Sequence, residues 1–291
     1  MAIKGLTIIG ESINDSVPST QIKFENKDIE GILQLAEYQD KKGATYIDVN
    51  IGKREPGFMA DLVKKIQEVT TKPLSIDTPD PEIAAAGLEA YNPAAAQNKM
   101  PILNSIAPTR SEMFDLYALQ PFMPVLLLTE RLDDNGEARM NLTAEQTYAS
   151  AKKMVALAKS RINNLTCKKC ILDPGIMPIG SDTQGHLSRL IGTLQRIQND
   201  DELSGVNISV GLSNFTIMLP PRRPDGSPVK SALESAFLTI ALPLGLNMVI
   251  GSVKRKYRIL SEDDPALQCI REALNLQGMD IVTRVMMYTH Y

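Results

Sequence analysis

Eight short apolar runs, separated by longer amphipathic stretches, constrain this chain more than any other feature. They are Leu6–Ile9, Thr45–Val49, Leu74–Ile76, Ile102–Leu103, Val125–Leu128, Cys170–Leu172, Ile208–Leu212 and Met248–Ile250. Runs this short suit strands buried on both faces, as in a parallel sheet covered by helices. The stretches between them carry helical periodicity. Asp28 is placed to cap a helix with Ile29, Ile32, Leu33 and Ala36 among its apolar positions. Thr143 and Gln146 have capping-box spacing ahead of Tyr148, Ala151, Met154, Val155 and Ala158. Asp182 or Thr183 can start a further helix through Leu190, Leu194 and Ile197. Eight strand–helix units in 291 residues predict an α/β chain closed into a single TIM-type (β/α)8 barrel over residues 1–291. An open doubly wound sheet is the alternative, and the missing Gly-rich phosphate fingerprint after the first run weighs against it.

Composition narrows the function. A net charge of −3 and a pI of 5.6 argue against a nucleic-acid protein, which would normally carry a basic domain or stripe. The one basic cluster, Lys254-Arg255-Lys256 with Arg258, reads as a solvated helix face. No apolar run reaches the ~18 residues of a membrane span, and the first residues do not have the pattern of a signal peptide. The expectation is a cytoplasmic protein that engages neither membrane nor nucleic acid. Three cysteines, an odd number, fit a reducing compartment. Cys167 and Cys170 form a lone CxxC, and zinc would need more ligands from Cys269, His186 and His290. Structural cysteines and no metal are expected, with His186 a surface or packing residue within a helix. Met177 and Met218, just beyond predicted strands, are placed either to line an apolar pocket or to fill the core, and core filling is the favoured reading.

The residues that end each run point to the chemistry. The first run ends in Gly10-Glu11-Ser12-Ile13-Asn14, the second in Asp48-Val49-Asn50, the third in Asp77-Thr78 and the fourth in Asn104-Ser105. The sixth ends in Asp173-Pro174 and the seventh in Ser213-Asn214. In a barrel these C-terminal ends converge on one mouth. Two polar loops, residues 130–142 and 219–229, follow strands and belong to the same face. The ring holds carboxylates and carboxamides and no Lys or Arg at the strand ends themselves. Such a ring suits a flat neutral heterocycle with many N–H groups and not a phosphate-rich ligand. The plainer alternative is that each Asp or Asn caps a following helix.

As a set, these segments resemble the pterin-binding methyltransferase family. The chain is similar to methyltetrahydrofolate:corrinoid protein methyltransferases and to the folate domain of cobalamin-dependent methionine synthase. The matching pieces are Ile8–Asn14, Ile47–Gly52, Ser75–Thr78, Leu103–Ser105, Leu172–Pro174 and Gly211–Asn214. The resemblance implies methyl transfer between N5 of tetrahydrofolate and the cobalt of a corrinoid. It implies that Asp77, Asn104 and Asp173 bind the pterin, that Asn214 lies near N5, and that Asp48 and Asn50 form the family's Asp-x-Asn motif. Glu11, Asn14 and Ser213 belong to the same candidate pterin site. Arg222 or Arg223 matches an arginine beyond the seventh strand, with the loop length leaving the choice open. Asn214 and Asp77 are the expected catalytic pair. The direction favoured is from methylcorrinoid to tetrahydrofolate.

Dihydropteroate synthase is the near rival, since it shares Ser-Ile-Asp-Thr and Leu-Asp-Pro-Gly. That enzyme holds a pyrophosphate, and its seventh-strand motif carries Ser-Arg-Lys. Here the place reads Ser213-Asn214-Phe215, so both cations are gone. A non-catalytic folate-binding subunit of a corrinoid complex is the other alternative. No Asp-x-His-x-x-Gly corrinoid pattern occurs, so the corrinoid is expected on a partner protein docked over the mouth. The resemblance also implies a homodimer.

Overall fold

The computed structural model describes residues 3–290. Its strands are β1 (Thr7–Asn14), β2 (Tyr46–Asn50), β3 (Leu74–Asp77), β4 (Ile102–Ile106), β5 (Met123–Leu127), β6 (Glu130–Leu132), β7 (Ala138–Met140), β8 (Ile171–Asp173), β9 (Asn207–Gly211) and β10 (Met248–Gly251). Eight of them close a parallel barrel in the order β1-β10-β9-β8-β5-β4-β3-β2. Each of the eight apolar runs overlaps one barrel strand, and the predicted TIM-type barrel is the fold. The 130–142 loop contains the remaining pair, with β6 and β7 forming an antiparallel hairpin after β5.

The α-helices are α1 (Pro18–Glu25), α2 (Ile29–Lys41), α3 (Pro56–Val69), α4 (Pro81–Ala90), α5 (Ala144–Arg161), α6 (His186–Gln198), α7 (Lys230–Ala241), α8 (Pro265–Ala273) and α9 (Met279–His290). Local chemistry sets several starts. Asp28 caps α2 by accepting from the Gly31 N–H at 2.8 Å. Thr143 and Gln146 make the expected reciprocal capping box at α5. Asp182 does serve α6, but from upstream: its carboxylate accepts from the N–H groups of His186 and Leu187, so the helix begins at His186. The crossover after β4 is a run of 3-10 turns, Pro108–Ala118, in place of an α-helix. No helix among the described residues is long and apolar enough to cross a membrane.

Strand alternation sorts the core into two parts. Outward residues such as Ile47, Val49, Leu74, Ile76, Ile208 and Val210 pack in one cluster with the helices. Inside the barrel Ile9, Ile102, Val125, Ile171 and Met248 form a separate apolar cluster. The inward positions of β2, β3 and β9 are polar instead: Asp48, Ser75 and Ser209, all fully buried.

Two expectations are corrected. The basic cluster is not on a helix; residues 254–258 lie in the irregular segment between β10 and α8. There Arg255 pairs with the fully buried Glu234 of α7, and Lys254 lies 5.8 Å from the centre of the Tyr38 ring. Met177 and Met218 do not fill the core, because both sit on loops at the mouth and are exposed. Cys170 immediately precedes β8 and is buried, which pushes its thiol up to about 12. Cys167 receives the Lys159 ammonium at 3.1 Å, and all three cysteines are free.

Candidate active site

The C-terminal strand ends surround a cavity of about 390 Å³, within the range of small-ligand sites. Glu11, Asn14, Asp77, Asn104, Asp173 and Asn214 all line it. Asp77 and Asn104 are register partners on β3 and β4, which sets their side chains next to each other. Irregularities in two strands aim further groups. The β1 register shifts between Gly10 and Ile13. The Ser12 N–H in that shift is met by Gln39 Oε1 of α2 at 2.9 Å. Bulges commonly re-aim side chains in this way. The β4 register likewise shifts between Leu103 and Ile106, around Asn104.

The acids differ in their surroundings. Glu11 accepts from Ser213 Oγ at 2.5 Å, a bond that joins β1 to the segment after β9. Burial lifts the Glu11 carboxyl above its ordinary range, while Ser213 and the Arg255 charge pull it back. Asp77 accepts from Asn50 Nδ2 at 2.9 Å, and Asn50 Oδ1 accepts from the Gly52 N–H at 2.9 Å. Asn50 is therefore a bracket between a loop and Asp77. Burial also lifts Asp77, against the Asn50 hydrogen bond.

Asp173 is pushed up to about 6, chiefly by burial, against the Gly175 N–H it accepts and the nearby Arg189 charge. Its turn is built by Arg189 of α6, whose guanidinium donates to Pro174 O and Gly175 O, each at 2.8 Å, and to Thr147 Oγ1 at 3.1 Å. Gly175 has φ of +72°, a conformation that favours glycine. Sequence reading missed Arg189 and Gln39, since both reach the site from within helices and not from strand ends.

The remaining predicted residues divide. Asn14 Oδ1 accepts from Ser16 N–H and Oγ, so its amide N–H groups are free to turn to the mouth. Asn214 is exposed and caps nothing: the 3-10 turn Leu212–Thr216 has no side-chain cap. A Cβ added at Gly211 would come within 2.9 Å of Asn214 Nδ2, so this glycine leaves room for the carboxamide. Asp48 is not part of the lining; it lies buried beneath it. Arg222 is not brought to the mouth, because the 219–229 loop folds on itself and Arg222 donates to Gly226 O at 2.7 Å. Arg223 stacks over Tyr288 of α9, 5.0 Å from the ring centre.

The lining thus offers anionic acceptors and amphoteric carboxamides, and among the described residues no Lys, Arg or His. It matches a flat heterocycle bearing N–H donors and has nothing to neutralise a phosphate. Comparison with known proteins agrees. Residues 12–251 match the family described as Pterin binding enzyme, and this chain belongs to that family. The methylcorrinoid:tetrahydrofolate methyltransferase of Eubacterium limosum is 30% identical over 251 residues, 84% of each chain. Among solved structures, the 7,8-dihydropteroate synthase of Vibrio fischeri superposes with a TM-score of 0.57 at 15% identity, over 93% of both chains. The dihydropteroate synthase of Thermus thermophilus gives 0.55 at 20% identity, covering 93% of this chain and 91% of its own. At such identities the structures speak to the fold alone.

Proposed function

We propose that this chain is a methyltransferase that moves a methyl group from a corrinoid carried on a partner protein to N5 of tetrahydrofolate, with residues 1–291 acting as one pterin-binding barrel domain. The observation that carries the reading is the β9 end. Where a pyrophosphate-handling pterin enzyme needs cations, the segment after β9 reads Ser213-Asn214, and among the described residues no cation lines the mouth. The name and 30% identity of the Eubacterium limosum relative support the same reaction.

The pterin substrate fits inside the mouth, and the corrinoid is too large to do so. It would sit over the rim, where Met177, Ile217 and Met218 are 39%, 58% and 75% exposed. When bound, the corrinoid supplies a methyl group on cobalt. The chain's own residues do the rest. Asp77, Asn104 and Asp173 hold the pterin N–H groups, and Glu11 and Asn14 border the same cavity. N5 begins as a secondary amine and ends as a tertiary amine: its lone pair forms the new N–C bond, the methyl would part from the corrinoid with the pair of the broken bond left there, and one proton leaves N5. The Asn214 carboxamide and the Asn50–Asp77 pair stabilise the partial positive charge on N5 in the transition state. The cavity is open to water, which takes the proton.

A homodimer is part of the proposal, supported by the exposed Met279, Met286 and Met287 of α9. So is a cytoplasmic location, supported by the three free thiols. Light scattering tests the first, with a monomer the contrary result. The activity is tested by mixing the protein with methylcobalamin and tetrahydrofolate and following the cobalt spectrum and 5-methyltetrahydrofolate. Pterin binding without methyl transfer, even with a methylated corrinoid protein, would leave a folate-binding subunit. Dihydropteroate formation would overturn the reading in favour of the synthase.

A further inference from the structure

Asp48 is the most unusual group in the barrel. It is completely buried, and neither carboxylate oxygen meets a hydrogen-bond donor in good geometry. A buried ionised carboxylate in that condition is strongly disfavoured. Its neighbours relieve it little. Asp77 on β3 lies close to it, and a second ionised carboxylate offers only more acceptors. Ser75, its register partner on β3, has the hydroxyl placed to favour the ionised form, which opposes burial without overcoming it, and the Ser209 hydroxyl on β9 has no partner. From β1 the facing charge is Glu11, another acid. Asp173 on β8 faces Asp77 and adds the same sign. The nearest cations are committed elsewhere: Arg189 to the turn after Asp173, and Arg255 to Glu234.

We propose that Asp48 and Asp77 hold one proton between them at neutral pH, carried by Asp48, which donates it to Asp77 and so fixes the orientation of the Asp77 carboxylate. The single proton turns an acceptor–acceptor clash into a hydrogen bond. The charge settles on Asp77 because that side alone has an amide donor, Asn50 Nδ2 at 2.9 Å. Burial, followed by the charge of Asp77, raises the Asp48 carboxyl well above its ordinary range, in the same direction. Asp48 is thus a positioning residue. It stands outside the lining of the mouth and acts through Asp77. The shared proton follows from the barrel interior alone; its consequence for pterin binding rests on the function proposed above.

The sign of the pH dependence is fixed. A carboxyl that titrates higher in the folded state than in the unfolded one favours folding most when protonated. That stability is present below the unfolded value near 4 and is lost as pH rises through the folded value. The unfolding equilibrium of the wild type should therefore shift by up to tenfold per pH unit in that window, relative to Asp48→Asn, whose amide is a permanent donor. The infrared spectrum of the ligand-free wild type at pH 7, above the titration of Asp173, should show the carbonyl stretch of a protonated carboxyl, and Asp48→Asn should lack that band. In the pterin arm, Asp48→Asn should bind tetrahydrofolate at least tenfold more tightly than Asp48→Leu at pH 7. A wild type with no such stretch, or equal pH slopes in wild type and Asp48→Asn, overturns the shared proton. If Asp48→Asn does not fold, the wild-type infrared titration still decides. Failure of the wild type to bind tetrahydrofolate instead strikes the functional reading and leaves the infrared result to judge the pair.

Discussion

Asn214→Ala separates chemistry from stability more cleanly than any other substitution here. The side chain is exposed, has no protein hydrogen-bond partner among the contacts of the described residues, and caps no turn. Its removal leaves no buried group unpaired. The cost in folding stability should stay within about 0.5 kcal/mol, as for surface positions without special features. A capping asparagine would have cost about 1 kcal/mol. The effect on rate is different. If the carboxamide interacts with N5 more strongly in the transition state than in the bound substrate, its loss acts on turnover more than on binding. Removing one preorganised polar group aimed at developing charge costs on the order of 100-fold, about 2.7 kcal/mol in the barrier. Single-turnover methyl transfer at saturating tetrahydrofolate measures the rate, and urea unfolding measures the stability. A rate within about threefold of wild type, with pterin still bound, would refute the catalytic role of Asn214. So would a loss of affinity that accounts for the whole change.

Gly211→Ala should lower transfer without unfolding the protein, because the new methyl group presses on Asn214 Nδ2 and displaces a flexible side chain rather than backbone; rate and melting temperature report the two effects. Tetrahydrofolate affinity should fall by up to tenfold per pH unit below about 6, since pterin N–H groups require ionised Asp173 and burial has raised that carboxyl to about 6. Calorimetric titration from pH 5 to 8 checks this limb, which Asp173→Asn should flatten. Arg189→Met should destabilise the fold by about 2–4 kcal/mol by stranding the carbonyls of Pro174 and Gly175. It should also move the Asp173 limb to higher pH, because the lost charge was one of those holding that carboxyl down.

The barrel was legible in the sequence because parallel strands are buried on both faces, so each appears as an unbroken apolar run. Helix starts at Asp28 and Thr143 were legible because a cap acts within three residues of itself. The ring of Asp and Asn was legible because one topological fact places every strand end at the same mouth. What could not be read depends on pairs far apart in the chain. Arg189 supports the turn after Asp173 from the next helix, and Asn50 meets Asp77 across 27 positions. The burial of Asp48 depends on which strands neighbour β2. The basic segment was misread for a similar reason: its spacing fits a solvated helix, while Glu234 on another element draws Arg255 inward. Arg222 was placed by alignment with a loop whose own Asp225-Gly226 turn directs the chain elsewhere.

The pairing of the first barrel strand with the last has a consequence for how the molecule is made. Thr7 registers with Met248, so 241 residues of synthesis separate the two halves of one seam. At about 5–20 residues per second, β1 emerges from the ribosome roughly 10 to 50 s before its partner exists. Until then the sheet is an open arc, with unpaired edges at β1 and β9 and long-range contacts still to form. The bond between Glu11 and Ser213 spans that seam, so the mouth is completed only when the ring closes. A nascent chain halted before residue 248 is therefore both without a pterin site and open at two sticky edges, the kind of species that chaperones retain and proteases remove.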